Sequence, residues 1–146
     1  MTHGRDPGIT VLECGQTFTP TAYGVLTLTG RFPTTVRIGE RVVSGTVEAT
    51  SRVAVRGVVA PDAEVFLIRH GRIATLPVPQ DLMGVRWDLA PGKVERVPGK
   101  AALVSCDPGS GPVAPGSYDL YTRVVLTPDD GASTESFGGP WPLEVR

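Results

Sequence analysis

The sequence predicts an all-β chain: an antiparallel β-sandwich of nine or ten short strands, with a small closed β-barrel as the alternative. Three observations lead there. Apolar residues recur with a period of two, the pattern of a strand with one face on a core and one in water. Eighteen glycines and fourteen prolines among 146 residues are nearly twice the average usage of about 7 % and 5 %. These punctuating residues fall at fairly even intervals and leave no window for a helix longer than two turns, since Pro and Gly cost about 3 and 1 kcal/mol in a helix interior.

The strands follow in order. Tyr23 to Thr29 is rich in β-branched residues and Leu. Val43, Gly45, Val47 and Ala49 alternate with Ser44, Thr46, Glu48 and Thr50. Val53 to Val59 reads as a strand with Gly57 as a bulge position. Val65-Phe66-Leu67-Ile68 is a continuous apolar run, as expected of a strand covered on both faces. His70-Gly71 then turns the chain into a hairpin that needs positive φ. Val85, Trp87 and Leu89 alternate, Ala101 to Cys106 is a short candidate, and Tyr118 to Leu126 alternates except at Thr122. Trp141, Leu143 and Val145 close the set. Turn signals separate them: Ala60-Pro61-Asp62, Ala90-Pro91-Gly92, Val97-Pro98-Gly99, the loop from Asp107 to Pro115, and Pro128-Asp129-Asp130-Gly131. Residues 1–8 are expected to be a flexible tail and residues 9–146 a single domain. In the last strand Gly138-Gly139 allows a bulge or close approach, and Pro140 and Pro142 remove ladder donors, which predicts an edge.

Composition narrows function by exclusion. A formal charge of −1 gives no general attraction to nucleic acid. Residues 1–73 carry eight basic and six acidic side chains, and residues 74–146 carry six and nine, too mild an asymmetry to change that. No apolar stretch is long enough for a transmembrane helix. The basic residues are twelve Arg and two Lys, a bias expected of a high-GC bacterial genome. Cys14 and Cys106 are expected to form a disulfide, worth about 4–5 kcal/mol in the chain-entropy model. The alternative is two buried thiols. A bridge implies an oxidising compartment, hence the cell envelope or exterior with a leader removed ahead of Met1. If Met1 is the native start, the chain is cytoplasmic.

Two short motifs carry a resemblance. Ala114-Pro115-Gly116-Ser117-Tyr118 resembles the entry to a late strand of bacterial immunoglobulin-like sandwiches, where the tyrosine hydroxyl bonds back to the preceding loop. Leu89-Ala90-Pro91-Gly92 resembles an earlier step in the same domains. Over residues 85–126 the chain resembles the bacterial intracellular proteinase inhibitor (BsuPI-like) group. The resemblance implies an immunoglobulin-like sandwich. It departs from the antibody pattern, which has a cysteine two residues after the corner tyrosine, where this chain has Leu120.

Chemistry is sparse. The histidines are His3 in the expected tail and His70 in a turn, and no strand–turn–helix setting surrounds a nucleophilic serine. Asp107, Asp129 and Asp130 do not follow a calcium-loop spacing. Gly109 to Ala114 fits the letters of a dinucleotide fingerprint, but Pro115-Gly116 prevents the helix that would hold phosphate. No metal or cofactor is expected. The expected function is therefore a non-enzymatic binding or structural module that recognises a protein or a glycan through loops at one end. Arg69, His70 and Arg72 are the candidate contact residues, and Trp141 serves either as a core residue on an edge or as a partner surface. A proteinase inhibitor and a small all-β enzyme without a recognisable motif are the alternatives.

Overall fold

The computed structural model describes residues 8–20, 22–80, 83–109 and 111–146. The expected tail lies outside the described residues except for Gly8, as do His3 and Ser110. Among the described residues the secondary structure is all β: β1 (Leu26–Arg31), β2 (Thr35–Val36), β3 (Val42–Ser51), β4 (Val55–Val59), β5 (Ala63–Arg69), β6 (Arg72–Ile73), β7 (Val85–Leu89), β8 (Glu95–Ala102), β9 (Gly116–Pro128) and β10 (Thr134–Val145). They hydrogen-bond into one curled sheet in the order β1-β3-β8-β5-β9-β10-β2, with β4 on β9, β7 on β4 and β6 on β5. Beside β1 the chain returns to β10: the Phe137 N–H donates to the Tyr23 carbonyl (2.9 Å), and the Leu26 N–H to the Ser136 hydroxyl (3.1 Å). The result is a half-barrel, consistent with a sandwich or a small barrel.

Most pairings are antiparallel, as expected, but β5–β8 and β10–β2 are parallel. Both parallel contacts are two residues long, and the chain joining each pair crosses over through other strands instead of a helix. Two local expectations are also corrected. Val97-Pro98-Gly99 lies inside β8 rather than between strands. Pro98 is tolerated there because β8 joins β5 only from Gly99 onward, and a proline needs a side without a ladder partner. Gly57 is not a bulge: β4 runs in regular register with β7, and a Cβ at Gly57 would overlap the Thr127 carbonyl oxygen. The bulge falls between Gly138 and Trp141, around a cis Gly139–Pro140 bond. The last strand is not a bare edge, since β10 lies between β9 and the short β2.

The alternating residues fill the interior as two clusters, with the partly buried Phe32 packed against both. At one end Leu26, Val47, Val59, Trp87, Leu89 and Leu126 pack together. At the other end Val43, Val65, Leu67, Leu120, Leu143 and Val145 do so. Burying each such side chain contributes about 1.5–3 kcal/mol. The Val65–Ile68 run is covered on both faces, as its lack of alternation predicts. Phe66 and Ile68 point away from the interior into a second, outer cluster with Ile73, Tyr121 and Phe137.

That outer cluster is roofed by the N-terminal segment, residues 8–20. Phe18 packs edge-on against Phe66, Tyr121 and Phe137, with ring centroids 4.9–5.5 Å apart. The segment is fastened to the β5–β6 hairpin: the Gly15 N–H donates to the Ile73 carbonyl, the Ile73 N–H to Gln16, and the Phe18 N–H to Gly71, each at 2.9 Å. The Cys14–Cys106 disulfide forms, with Cα atoms 5.6 Å apart. The corner bond is also present. Tyr118 donates its hydroxyl hydrogen to the Ala114 carbonyl (2.6 Å).

Alkylation of the intact protein is expected to leave its mass unchanged until it is reduced, and then to add two adducts. The double substitution Cys14→Ser with Cys106→Ser is expected to lower unfolding stability by about 2–4 kcal/mol in urea titration.

Candidate functional site

Among the described residues, the buried charged side chain is Arg123, on the outer face of the central strands. Arg123 of β9 lies directly opposite Glu64 of β5 in the antiparallel register. Glu135 on β10 reaches the same guanidinium from the other side. Arg123 donates from Nε and Nη2 to the two Glu64 carboxylate oxygens (2.9 and 2.8 Å) and from Nη1 to Glu135 Oε1 (3.2 Å). The Arg123 and Glu135 side chains are only 10 % and 13 % exposed, so these are charge-assisted bonds in a poorly hydrated setting. Burial opposes the Arg123 charge, but the Glu64 and Glu135 carboxylates outweigh it and hold the guanidinium above its ordinary pKa. One cation faces two anions, so the group carries a net negative charge.

A third element completes it. Thr10 of the N-terminal segment donates its N–H to Glu135 Oε1 (3.0 Å) and its hydroxyl to Glu135 Oε2 (2.6 Å). Its carbonyl accepts from Arg123 Nη1 (2.6 Å). The backbone of an exposed residue is thus read on both sides, its donor by a carboxylate and its acceptor by a guanidinium.

Two grooves flank this segment, and both are lined by Thr10 and Leu12. One, of about 540 Å³, runs along β10 past Phe18, Glu135 and Phe137. The other, of about 610 Å³, lies over β9 between Val11, Val58, Asp62, Glu64 and the stretch from Leu76 to Gln80. That stretch is held as a wall by a reciprocal pair of bonds: the Asp62 N–H donates to Gln80 Oε1 (3.0 Å) and Gln80 Nε2 donates to the Asp62 carbonyl (2.9 Å). The rim is apolar and wet, with Met83 74 % and Leu76 39 % exposed. Tyr121 belongs to the outer cluster; burial pushes its phenol pKa up, and Tyr23 and Asp119 add to this.

The residues expected from sequence are placed differently. Arg69 is half-buried and spent internally. It donates to the Tyr118 hydroxyl (3.1 Å), and its guanidinium carbon lies 5.2 Å from the ring centroid. Arg72 is exposed but donates to the Gly15 carbonyl (3.1 Å), so it holds the N-terminal segment. His70 is exposed at the hairpin tip with φ of 53°, and with Gly71 it makes the expected positive-φ turn. Trp141 is half-buried and stacks on Phe32 at 6.3 Å, above Gly30. It is apart from the hairpin. Cys14 and Cys106 join the N-terminal segment to the loop beyond β8. Sequence reading missed Arg123, Glu64, Glu135 and Thr10. The available signal was the outward row of β9, where the apolar Tyr121 and Val125 flank Arg123, as in a strand covered on both faces.

No family model matches the chain, and no curated protein does. Among solved structures it is similar to the sporulation control protein Spo0M of Bacillus subtilis, with a TM-score of 0.46 and 14 % identity over 84 % of this chain and 50 % of that one. It is also similar to a β-glucosidase of Listeria innocua in complex with glucose, with a TM-score of 0.39 and 18 % identity over 84 % of this chain and 16 % of the enzyme. The chain thus spans half or less of the length of these neighbours. Among the described residues no helix is long and apolar enough to cross a membrane.

Replacing Arg123 with Met removes the buried cation from two half-buried carboxylates, and the loss is expected to fall at or below the roughly 3–5 kcal/mol typical of breaking a fully buried pair. The Arg123→Met chain is expected to unfold at correspondingly lower urea, while Arg72→Met, which loses one exposed bond, shifts the midpoint little.

Proposed function

We propose that this chain is a non-enzymatic binding module, and that its binding surface is the groove over β9 rather than the β5–β6 hairpin. The observation that carries this reading is the apolar rim. Val11, Val58, Leu76 and Met83 are exposed around a groove of about 610 Å³, whereas Arg69 and Arg72 are spent on internal contacts. Exposed apolar side chains around a concavity characterise protein recognition. The groove is lined by aliphatic and carboxylate groups without an aromatic platform, which favours an extended protein segment over a glycan. Asp62 and the net negative Arg123 cluster favour a segment that is neutral or basic. An envelope or extracellular setting fits the Cys14–Cys106 bridge, because disulfides persist in oxidising compartments. The immunoglobulin-like description of the sandwich draws support from the Tyr118–Ala114 bond.

The test is selection of displayed random short peptides on the oxidised full-length chain. Selected peptides are expected to carry apolar residues at alternate positions. They should bind at least tenfold more weakly, about 1.4 kcal/mol, to the Leu76→Asp, Met83→Asp double variant, whose changes lie on exposed positions. Equal affinity for the wild-type and double-variant chains would overturn the groove assignment.

A further inference from the structure

The contacts of Thr10 describe a ligand as much as a piece of the fold. One carboxylate, Glu135, takes its N–H and its hydroxyl through separate oxygens, and Arg123 donates to its carbonyl. An extended peptide presents these groups at any residue, but the hydroxyl requires Thr or Ser. The Thr10 side chain is therefore read by type and its backbone by direction. Leu12, two residues on, packs against the aromatic cluster of Phe66, Tyr121 and Phe137. Val11 between them faces the groove rim and is 39 % exposed.

Two further observations separate this stretch from an ordinary structural strap. First, the trough is wider than its occupant, since grooves open on both sides of Thr10 and Leu12. Second, the anchoring is uneven. From Cys14 to Phe18 the segment is fixed by the disulfide and by three backbone bonds to the hairpin. Among the described residues, the backbone of residues 8–13 reaches the sheet only through Thr10. This arm is hinged at Cys14 and held by the bonds of Thr10 and the packing of Leu12. Its departure leaves the receptor intact, because Arg123 keeps its paired bonds to Glu64 and its bond to Glu135.

We infer that residues 8–13 are a built-in pseudo-ligand, and that the ligand taken in trans is an extended peptide of a partner protein carrying Thr or Ser followed two residues later by a large apolar side chain. This rests on the groove reading and specifies its ligand. The arm competes from within the chain, so an incoming segment must displace it, and binding is weak until it does.

The probe is a fluorescein-labelled peptide with the sequence of residues 8–13, Gly-Ile-Thr-Val-Leu-Glu, titrated by anisotropy against the oxidised full-length chain. The Thr10→Val variant keeps the shape and backbone of the arm but loses its hydroxyl. It is expected to bind the peptide at least tenfold more tightly than wild type, while Thr10→Ser stays at the wild-type level. A peptide with Val in place of Thr should bind the Thr10→Val chain at least tenfold more weakly. An unchanged emission spectrum from Trp87 and Trp141 checks that the variants are folded. Equal binding to the wild-type and Thr10→Val chains, indifference to the peptide hydroxyl, or no binding to any chain would each overturn the inference. The rim variants judge the groove separately, so selected peptides that depend on Leu76 and Met83 would keep the groove reading even then.

Discussion

A guanidinium buried among strands is the constraint on which the outer half of this molecule depends. Arg123 is 8 % exposed, and leaving it unpaired would cost several kcal/mol. Its partners come from three separate parts of the chain: Glu64 on β5, Glu135 on β10 and the Thr10 carbonyl. Satisfying it therefore fixes the register of β5 on β9, the position of β10 and the course of the N-terminal segment together. A slip of one residue would turn Arg123 into the apolar interior and Val124 outward. The negative excess of the group creates a demand for donors, and Thr10 supplies two.

The same two-sided burial explains the third layer. A strand such as β5, apolar at four consecutive positions, cannot leave either face in water. The interior covers Val65 and Leu67, and something else must cover Phe66 and Ile68. The N-terminal segment does so with Leu12 and Phe18, without becoming a strand. Its donors are satisfied through the hairpin instead, which is why Arg69-His70-Gly71-Arg72 is a structural clamp. Its arginines are bonded to Tyr118 and Gly15, while His70 stands exposed at the tip.

What was legible in the sequence was what local pattern controls. The run Val65–Ile68 announced a strand covered on both faces, His70-Gly71 a hairpin, Gly138-Gly139 a bulge or close approach, and the resemblance carried by Pro115-Gly116-Ser117-Tyr118 a corner bond. Each depends on a few adjacent residues. The Cys14–Cys106 pairing was also within reach, because the chain has only two cysteines. The Arg123 cluster was not, since its members lie 59 and 113 positions away in the cases of Glu64 and Thr10. The local signal was the outward row of β9, with the apolar Tyr121 and Val125 on either side of Arg123. Pro98 misled for the opposite reason: its local signal is a turn, but an unpaired strand side accommodates it.

The location of the groove follows from how β9 changes partners. On one side β9 pairs with β5 from Asp119 to Arg123 and with β4 from Leu126 to Pro128. Val124 and Val125 fall at the exchange, where neither strand reaches. A sheet that hands one strand from one neighbour to another must leave a gap there, and the flanking backbone must be met by something other than a ladder. The wall from Leu76 to Gln80 and the arm around Thr10 border that gap without filling it. The charged cluster lies at its edge because Arg123 is the last residue paired with β5. Groove and cluster are therefore two consequences of one topological feature, and a binding surface there belongs to the strands themselves, not to the loops at the ends of the sandwich.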